Sequence, residues 1–172
     1  MDRNKLYSNR PLRIGVGIAL INKDNKIFVG KRIDNPVKFW QMPQGGVNNK
    51  EKYLDAALRE LKEETGIESV ELIKEIDYWT KYNLPSNLIK KIWKGRFRGQ
   101  KQKWFLMKFI GEEGEINLKT KRPEFMEWKW INIKDLTDVV VNFKLEVYKK
   151  VQEEILKTNQ NYIVIFFNTL NL

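Results

Sequence analysis

Hydrophobic residues alternate with small or polar residues in several short runs, a pattern that predicts β-strands. Every second residue is aliphatic within residues 13–22, and residues 27–29 resume the pattern after a polar interruption. Because successive side chains of a strand point to opposite faces, these two runs predict antiparallel strands joined by a turn. Further strands are predicted over residues 67–77, 104–110, 115–118 and 128–133.

Two segments have the spacing of amphipathic helices. The first covers about residues 51–65 and ends at Gly66, a residue type that is common at helix C-terminal caps. One face of this helix, expected to pack on the core, carries Leu54, Leu58, Leu61 and Thr65. The second helix begins at residue 142 or 143 and ends at residue 156, with an apolar residue at every fourth position. The polar and aromatic stretch 77–94 is interpreted mainly as loop.

The order of these elements indicates one domain over residues 1–158. The chain of 172 residues is long enough for a substantial core, and no internal repeat or linker marks a second domain. Residues 159–172 form an apolar C-terminal tail of unassigned role. Its run 162–167 could add a strand to a sheet edge, mediate association or form a poorly ordered terminus, and the pattern does not decide between these.

Composition narrows the chemistry. There is no cysteine and no histidine, so thiolate nucleophiles are excluded, and a general base must be a carboxylate, a lysine, a tyrosine or a metal-bound hydroxide. The net charge of +10 suggests a polyanionic partner, although a compositional drift toward Lys, Asn and Ile explains it equally well.

No apolar stretch reaches the ~20 residues that span a bilayer, and the N-terminus lacks the apolar run of a signal peptide. We therefore expect a cytoplasmic protein without membrane contact.

Three carboxylates share one face of the first predicted helix. At 100° per residue, Glu63 and Glu64 lie within about 60° of Glu60. Clustered carboxylates repel one another and add nothing to folding. Their presence is explained if the face gathers a hard divalent cation, which prefers oxygen ligands, whereas the alternative is a solvated acidic surface.

The stretch from Gly45 to Ile67 resembles the Nudix box, G-x5-E-x7-R-E-U-x-E-E-x-G-U, in which U is a bulky aliphatic residue. All nine specified positions are filled, by Gly45, Glu51, Arg59, Glu60, Leu61, Glu63, Glu64, Gly66 and Ile67. Members of this family hydrolyse a nucleoside diphosphate linked to another group and use a divalent metal. The resemblance implies an α/β class fold, an α/β/α sandwich with a central mixed sheet, in agreement with the predicted order of elements.

Segments outside the box resemble a narrower group, the bacterial RNA 5′-pyrophosphohydrolases, also described as dinucleoside polyphosphate hydrolases. These segments are residues 10–11, 39–46, 82–85, 99–105, 123–125 and 141–144. The likeness covers about residues 9–156. The chain departs from the group at the 34–37 loop, which looks longer, and at Met42, where phenylalanine is usual. The substrate implied is 5′-triphosphorylated RNA or a dinucleoside polyphosphate. We expect a monomer and leave activation by a protein partner open.

The resemblance also implies roles for individual residues. Glu60, Glu63 and Glu64 would bind Mg²⁺, with Mn²⁺ able to substitute, and Gly45 would lie at the metal. Glu124 would be a further ligand or a base, the alternative being a surface loop residue. Glu51 and Arg59 would form an ion pair that braces the helix. The substrate-binding residues implied are Arg10, Arg32, Gln102, Phe143 and Lys144.

The reaction expected from these roles is the attack of a metal-activated water, deprotonated by Glu63 or Glu124, on a phosphorus of the 5′-triphosphate. Phe143 would stack on a base opposite Arg32, although its spacing also fits a core residue. The aromatic residues expected in the core are Trp104, Phe105, Trp128 and Trp130. Three alternatives are a diadenosine polyphosphate hydrolase, a non-catalytic nucleotide or RNA-binding protein of the same fold, and general nucleic-acid binding driven by net charge without turnover.

Overall fold

The computed structural model describes residues 7–34 and 39–170, with side chains up to residue 159. The strands are β1 (Leu12–Ile21), β2 (Lys26–Arg32), β3 (Trp40–Gln41), β4 (Gln44–Gly46), β5 (Val70–Glu75), β6 (Thr80–Asn83), β7 (Gly99–Phe109) and β8 (Phe125–Asn132). The helices are α1 (Tyr53–Thr65), α2 (Ser86–Ile89) and α3 (Leu145–Leu170). The predicted turn between the first two strands is present, since Ile21 pairs with Ile27 in antiparallel register.

All eight strands belong to one mixed sheet, whose central path runs β3-β2-β1-β7-β5. The first and seventh strands are parallel, with Leu12 opposite Gly99 and Ile21 opposite Lys108. Strand β4 attaches to β1, β6 attaches to β7, and β8 attaches to β2. Strands β1 and β7 lie in the middle of the sheet, and a core covers each of their two faces, which explains their long apolar runs.

Alternate side chains of β1 and β7 pack into two separate cores, one on each face of the sheet. On one face Ile18 and Phe105 pack with Leu61 of α1, and on the other Ala19 and Trp104 pack with residues of α3. The helix residues buried on this second face are Val147, Tyr148, Val151 and Ile155. One helix thus covers each face of the sheet. The predicted α/β/α sandwich with a central mixed sheet is confirmed.

Helix α1 ends as the sequence predicts, but its buried face differs from the prediction. Gly66 adopts φ 75°, and its N–H donates to the carbonyl of Lys62, which closes the helix. Leu58 is 39% exposed, so its predicted core position is wrong. The helix instead turns Ala56, Ala57 and Glu64 toward the sheet. Small alanines bring the helix axis close to the strands, and the larger leucine is left at the margin.

The structure differs from two predictions for the connecting segments. Residues 115–118 do not form a strand, because Glu113–Glu115 is a 3₁₀ turn whose Glu115 carboxylate accepts the N–H groups of Glu68 and Ser69, at 2.6 and 2.8 Å. The interpretation of the stretch 77–94 as mainly loop missed two short elements, β6 and α2. Only four residues long, β6 alternates buried Thr80 and Tyr82 with exposed neighbours, a signal too short to separate from a polar loop.

Helix α3 runs from Leu145 to Leu170 and therefore extends beyond the predicted end at residue 156. The sequence predicts that the domain ends at residue 158 and the tail begins at residue 159, and the backbone is helical on both sides of this point. The domain boundary stays a prediction. The tail backbone is thus helical to Leu170 and adds no strand to the sheet. Its role stays unassigned, because the side chains beyond residue 159 lie outside the described part. Among the described residues, no helix combines the length and apolar character needed to cross a bilayer.

Tyr148 of α3 connects this helix to the loop that precedes the first glycines. Its buried hydroxyl accepts a hydrogen bond of 2.8 Å from the backbone N–H of Met42. Met42 is itself fully buried, so its side chain fills the position where the resembled group usually has phenylalanine. The β3–β4 loop is therefore held from both sides, by the sheet and by α3.

Candidate active site

Strand β4 and helix α1 bring the first glycine of the box against the first of the three glutamates. Gly45 pairs with Val16 of β1, which fixes its backbone in the sheet. A Cβ atom on Gly45 would collide with the carboxyl group of Glu60. Glycine is needed here because the Glu60 carboxyl group occupies the space that a side chain would take. Burial raises the pKa of Glu60, and the adjacent Arg59 guanidinium opposes this rise.

Glu64 is a buried carboxylate, with only 2% of its surface exposed. Its Oε2 accepts a hydrogen bond of 3.1 Å from the backbone N–H of Gln44, whereas its Oε1 has no hydrogen-bond partner. Burial raises the pKa of Glu64 well above its ordinary value, and the negative charges of Glu124 and Glu60 raise it further. A buried carboxylate oxygen without a hydrogen-bond donor destabilises the folded state unless a cation binds to it.

Arg59 holds the acidic face of α1 in place. Its Nε and Nη2 donate to the two carboxylate oxygens of Glu51, at 2.7 and 2.9 Å, and Nη2 also donates to the carbonyl of Gly46. Its Nη1 contacts Glu60 at 2.8 Å and Glu63 at 3.4 Å. The bidentate bond from Arg59 holds the pKa of Glu51 at about 2. The ion pair expected from the resemblance is therefore present, and it joins the helix to the glycine strand.

Glu124 approaches the site from the loop before β8. Its Oε2 accepts a hydrogen bond of 3.1 Å from Arg32 at the end of β2, and the Arg32 guanidinium also binds Asp34 through two bonds of 2.7 Å. These bonds to Asp34, followed by the charge of Glu124, raise the pKa of Arg32. The negative charge of Glu124 in turn raises the pKa of Glu64.

Lys144 is a buried cation beside these acids. Its Nζ donates to Gln41 Oε1 at 3.0 Å and lies 5.3 Å from the centre of the Tyr82 ring. Burial and the neighbouring positive charge of Arg32 lower the pKa of Lys144 to about 7. The carboxylates of Glu64 and Glu124 act in the opposite direction. A phosphate group bound nearby would therefore favour the charged form of this lysine.

A buried polar layer continues from Lys144 toward the glycines. Gln100 Oε1 accepts bonds from the Tyr82 hydroxyl at 3.0 Å and from Gln102 Nε2 at 3.3 Å, while Gln100 Nε2 donates to the carbonyl of Gly45. Gln102 is thus a member of the layer rather than an exposed side chain. Phe143 packs partly on the α3 core, with its ring 5.7 Å from that of Tyr82.

Arg10 is held in a different place from the other predicted substrate-binding residues. Its guanidinium lies 4.9 Å from the centre of the Tyr7 ring, and its Nη1 would be 3.0 Å from a Cβ on Gly95. Its backbone carbonyl accepts a bond from Arg98. No contact given for the described residues joins Arg10 to the glutamates, and its role in binding the triphosphate or the first nucleotides stays a prediction.

The carboxylates of the site have the chemistry that a divalent cation needs. Within the described residues, however, no three acidic side chains already surround a single metal position. The unpaired Oε1 of Glu64 supplies a buried negative oxygen. The close approach of Gly45 to Glu60 leaves that carboxylate at the end of the buried polar layer. Glu63 is half-exposed and has no stronger contact than the 3.4 Å one to Arg59. Carboxylate oxygens of this kind are the ligands that Mg²⁺ and Mn²⁺ prefer.

We expect Gly45→Ala to reduce turnover about 10²-fold, because the added methyl group displaces the Glu60 carboxyl group and misplacement of a catalytic group by 1 Å has that effect. Steady-state kinetics at saturating metal would measure it. The matched control is Gly114→Ala, since a Cβ on Gly114 meets nothing within 4 Å. Equal activity of the G45A and G114A variants would contradict the assignment of Glu60 to the site.

A family model described as the NUDIX domain matches residues 11–153. The chain belongs to the Nudix family. The RNA pyrophosphohydrolase of Pelagibacter ubique (strain HTCC1062) is 61% identical over 155 residues, which cover 90% of this chain and 97% of that one. The RNA pyrophosphohydrolase of Roseobacter denitrificans (strain ATCC 33942 / OCh 114) is 51% identical over 140 residues, covering 80% and 88% of the two chains.

Solved structures show the same Nudix fold at low sequence identity. The E. coli dihydroneopterin triphosphate pyrophosphohydrolase has a TM-score of 0.65 and 20% identity, covering 82% of this chain and 97% of that one. A C. elegans Ap4A hydrolase binary complex has a TM-score of 0.59 and 19% identity, covering 83% and 98%. The predicted family and fold are confirmed, and this Nudix protein is a hydrolase that acts on phosphoanhydride bonds and depends on divalent metal.

Sequence reasoning missed several residues of this Nudix site. Asp34 orients Arg32, and its opposite charge only two residues away in the sequence was a usable signal. Gln41 and Tyr82 flank Lys144 from distant parts of the chain. No local pattern identifies these two, because the sheet alone brings them to the lysine.

Proposed function

We propose that this Nudix hydrolase is an RNA pyrophosphohydrolase, which removes pyrophosphate from the 5′-triphosphate end of RNA and leaves a 5′-monophosphate. The observation that carries the proposal is a cluster in which Arg32 binds Glu124 at 3.1 Å, while the charges of both act on the buried Lys144 and Glu64. A triphosphate needs cations for its oxygens, and its hydrolysis needs carboxylates for a metal and a proton. This cluster contains both.

We propose that Glu60, Glu63, Glu64 and Glu124, with Gly45 beside them, hold the divalent metal. When bound, Mg²⁺ would neutralise phosphate charge and lower the pKa of a bound water. Mn²⁺ should substitute, because its ligand preferences are similar. Glu51 and Arg59 act through Glu60 and Glu63, since Arg59 holds these carboxylates and Glu51 holds Arg59.

The cations act on the phosphate oxygens. The Arg32 guanidinium is oriented by Asp34 and Glu124, so its planar fork approaches the substrate in a fixed position. The Lys144 ammonium is held by Gln41 and shielded from solvent, where each charge has a larger effect than in water. Pre-oriented cations of this kind stabilise the charge that develops on the transferred group as the bond to pyrophosphate breaks.

The attacking water has two candidate bases among the glutamates. Glu63 carries a half-exposed carboxylate whose oxygens are almost free of donors, whereas Glu124 already accepts a bond from Arg32. Either carboxylate oxygen would take the proton as the water attacks phosphorus. The proton then leaves with solvent, and the pyrophosphate departs with the charge that Arg32 and Lys144 have stabilised.

The first base is proposed to lie against Phe143, whose ring is partly exposed beside Tyr82. Gln102 and Arg10 remain candidates for contacts with the first nucleotides. A monomer is proposed, and a cytoplasmic location is proposed because the substrate is made there. Activation by a protein partner is left as a further hypothesis.

The second candidate substrate is a dinucleoside polyphosphate, because the same cations and acids would hold its phosphate chain. We expect kcat/KM on 5′-triphosphorylated RNA to exceed that on diadenosine pentaphosphate at equal metal and salt. Both substrates would be assayed by release of their products from one enzyme preparation. A clear preference for the dinucleotide would overturn the proposed substrate while leaving the Nudix chemistry intact.

A further inference from the structure

Nearly all of the net positive charge lies in one segment of the chain. Between Tyr78 and Gly111 there are nine lysine and arginine residues and no aspartate or glutamate, in a chain whose net charge is +10. Only Lys103 of these cations forms an ion pair within the described residues, 3.1 Å from Glu75. The others repel one another unless a polyanion lies across them.

Four exposed cations of this segment lie in the loop 90–98 between α2 and β7, called the basic loop below. Its exposed cations are Lys90, Lys91, Lys94 and Arg96. Two partly buried aromatic residues alternate with them, Trp93 and Phe97, whose rings lie 6.1 Å apart at 82°. Interleaved cations and aromatic rings are the means by which proteins bind single-stranded nucleic acid, through backbone phosphates and base stacking.

The backbone of the basic loop is held in an unusual conformation. Trp93 and Lys94 have φ values of 50° and 54°, in the left-handed region that non-glycine residues rarely adopt. Gly95 follows at φ 70° and fits closely against the Arg10 guanidinium. Such strain persists only where the surroundings fix it, and it is concentrated at sites that hold ligands. The loop therefore presents its cations from a defined shape.

Arg13 connects the basic loop to the active site. Its guanidinium lies 5.3 Å from the centre of the Trp93 ring. The same guanidinium fills the space beside Gly46, where a Cβ atom would collide with Nη2. Gly46 is the neighbour of Gly45, against which the Glu60 carboxyl group packs. A chain of contacts through Arg13 thus connects the strand that holds Gly45, beside Glu60, with the basic loop.

We propose that the basic loop is a second RNA-binding surface, which holds the nucleotides that follow the triphosphorylated end while the active site holds the end itself. The proposal rests on the proposed function, because only a substrate with a chain of nucleotides extends from the active site to the loop. The occupant is single-stranded RNA rather than a duplex, since the partly exposed rings of Trp93 and Phe97 can stack only on unpaired bases.

The test compares two substrates that share one 5′ sequence, a triphosphorylated RNA of about 25 nucleotides and a triphosphorylated dinucleotide. The variant is K91Q/K94Q/R96Q, which removes three exposed cations. We expect its kcat/KM on the long RNA to fall roughly tenfold or more at low salt, with an unchanged value on the dinucleotide. The slope of log kcat/KM against log salt should become shallower by about 2, because each phosphate contact on a single strand contributes ~0.7.

A second variant, Phe97→Ala, separates stacking from charge. It should lower kcat/KM on the long RNA without changing the salt slope, because the ring carries no charge.

The matched control for the triple variant is K23Q/K26Q/K108Q, which makes the same change in net charge with three exposed cations that lack ion pairs within the described residues. These three residues lie near the Ile21 end of β1, whereas the basic loop lies near its Leu12 end, about 30 Å away along the strand.

Three results would overturn the proposal. The K91Q/K94Q/R96Q variant could match the control variant on long RNA, as expected if the loop binds a protein instead. The variant could lose activity equally on both substrate lengths, which would show that the loop is needed for catalysis or for folding and not for binding the later nucleotides. The wild-type enzyme could fail to turn over either triphosphorylated RNA, which would overturn the proposed function itself and is recognised before any variant is compared.

Discussion

Glu64→Gln should lower turnover of triphosphorylated RNA about 10²–10⁴-fold and at the same time raise the free energy of unfolding by about 0.5–2 kcal/mol. The loss follows because an amide cannot supply the negative oxygen that a divalent cation needs. The gain follows because the substitution removes a carboxyl group whose charged form is disfavoured in the folded protein, by burial, by the lack of a donor to Oε1 and by the charges of Glu124 and Glu60. The amide oxygen can still accept the N–H of Gln44.

The stability gain of the E64Q variant should depend on pH. Burial raises the pKa of Glu64 above that of the unfolded chain, so the folded wild type binds more protons between these two values. Its free energy of unfolding therefore falls as the pH rises through this window. The difference between the variant and the wild type should vanish below the ordinary glutamate pKa of about 4.5 and grow above it. Urea unfolding with a chelator present, at several pH values, would measure this.

Glu63→Gln should lower turnover by a similar factor, about 10²–10⁴-fold, with a change in the free energy of unfolding within about 0.5 kcal/mol. Glu63 lies one residue from Glu64, yet its side chain is 52% exposed and its contact with Arg59 is long, 3.4 Å. Removing its charge therefore affects the metal and the attacking water but leaves the fold almost unchanged. Kinetics across a range of Mg²⁺ concentrations, with urea unfolding of the same preparation, would measure both quantities.

The E63Q and E64Q variants are each other's controls, because they make the same chemical change on adjacent residues that differ in burial. Glu71→Gln adds an exposed acid of β5 as a neutral comparison for turnover. Persistent turnover in the E63Q variant would remove Glu63 from the metal and the base. Equal stability of the E63Q and E64Q variants at neutral pH would contradict the destabilising effect assigned to the buried Glu64 carboxylate.

Much of the acidic site could be predicted from the sequence because α1 is regular. A helix fixes the angles between Glu60, Glu63 and Glu64, and the spacing of the box fixes Gly66 as its end. The helical period alone does not determine which side chains face the sheet. Leu58 was expected inside, but the helix turned its alanines and Glu64 inward, and the unequal burial of the three glutamates followed from that rotation.

The cationic half of the site could be predicted less well. Resemblance indicated Arg32 and Lys144, but the groups that orient them, Asp34 and Gln41, depend on how loops and strands meet in three dimensions. Tyr82 was assigned to a loop because a four-residue strand carries too little periodicity for detection. Contacts between residues that are far apart in sequence have no local signature, which limits what a single chain reveals.

The parallel pairing of β1 with β7 bears on how the protein emerges from the ribosome. Leu12 pairs with Gly99, so 87 residues must be added before the first strand meets its central neighbour. At 5–20 residues per second this takes roughly 4–17 s. During that time the apolar edge of β1 has no partner strand on that side and is open to aggregation. Nascent chains that end before residue 99 should therefore need chaperone protection, although they already contain every residue of the Nudix box.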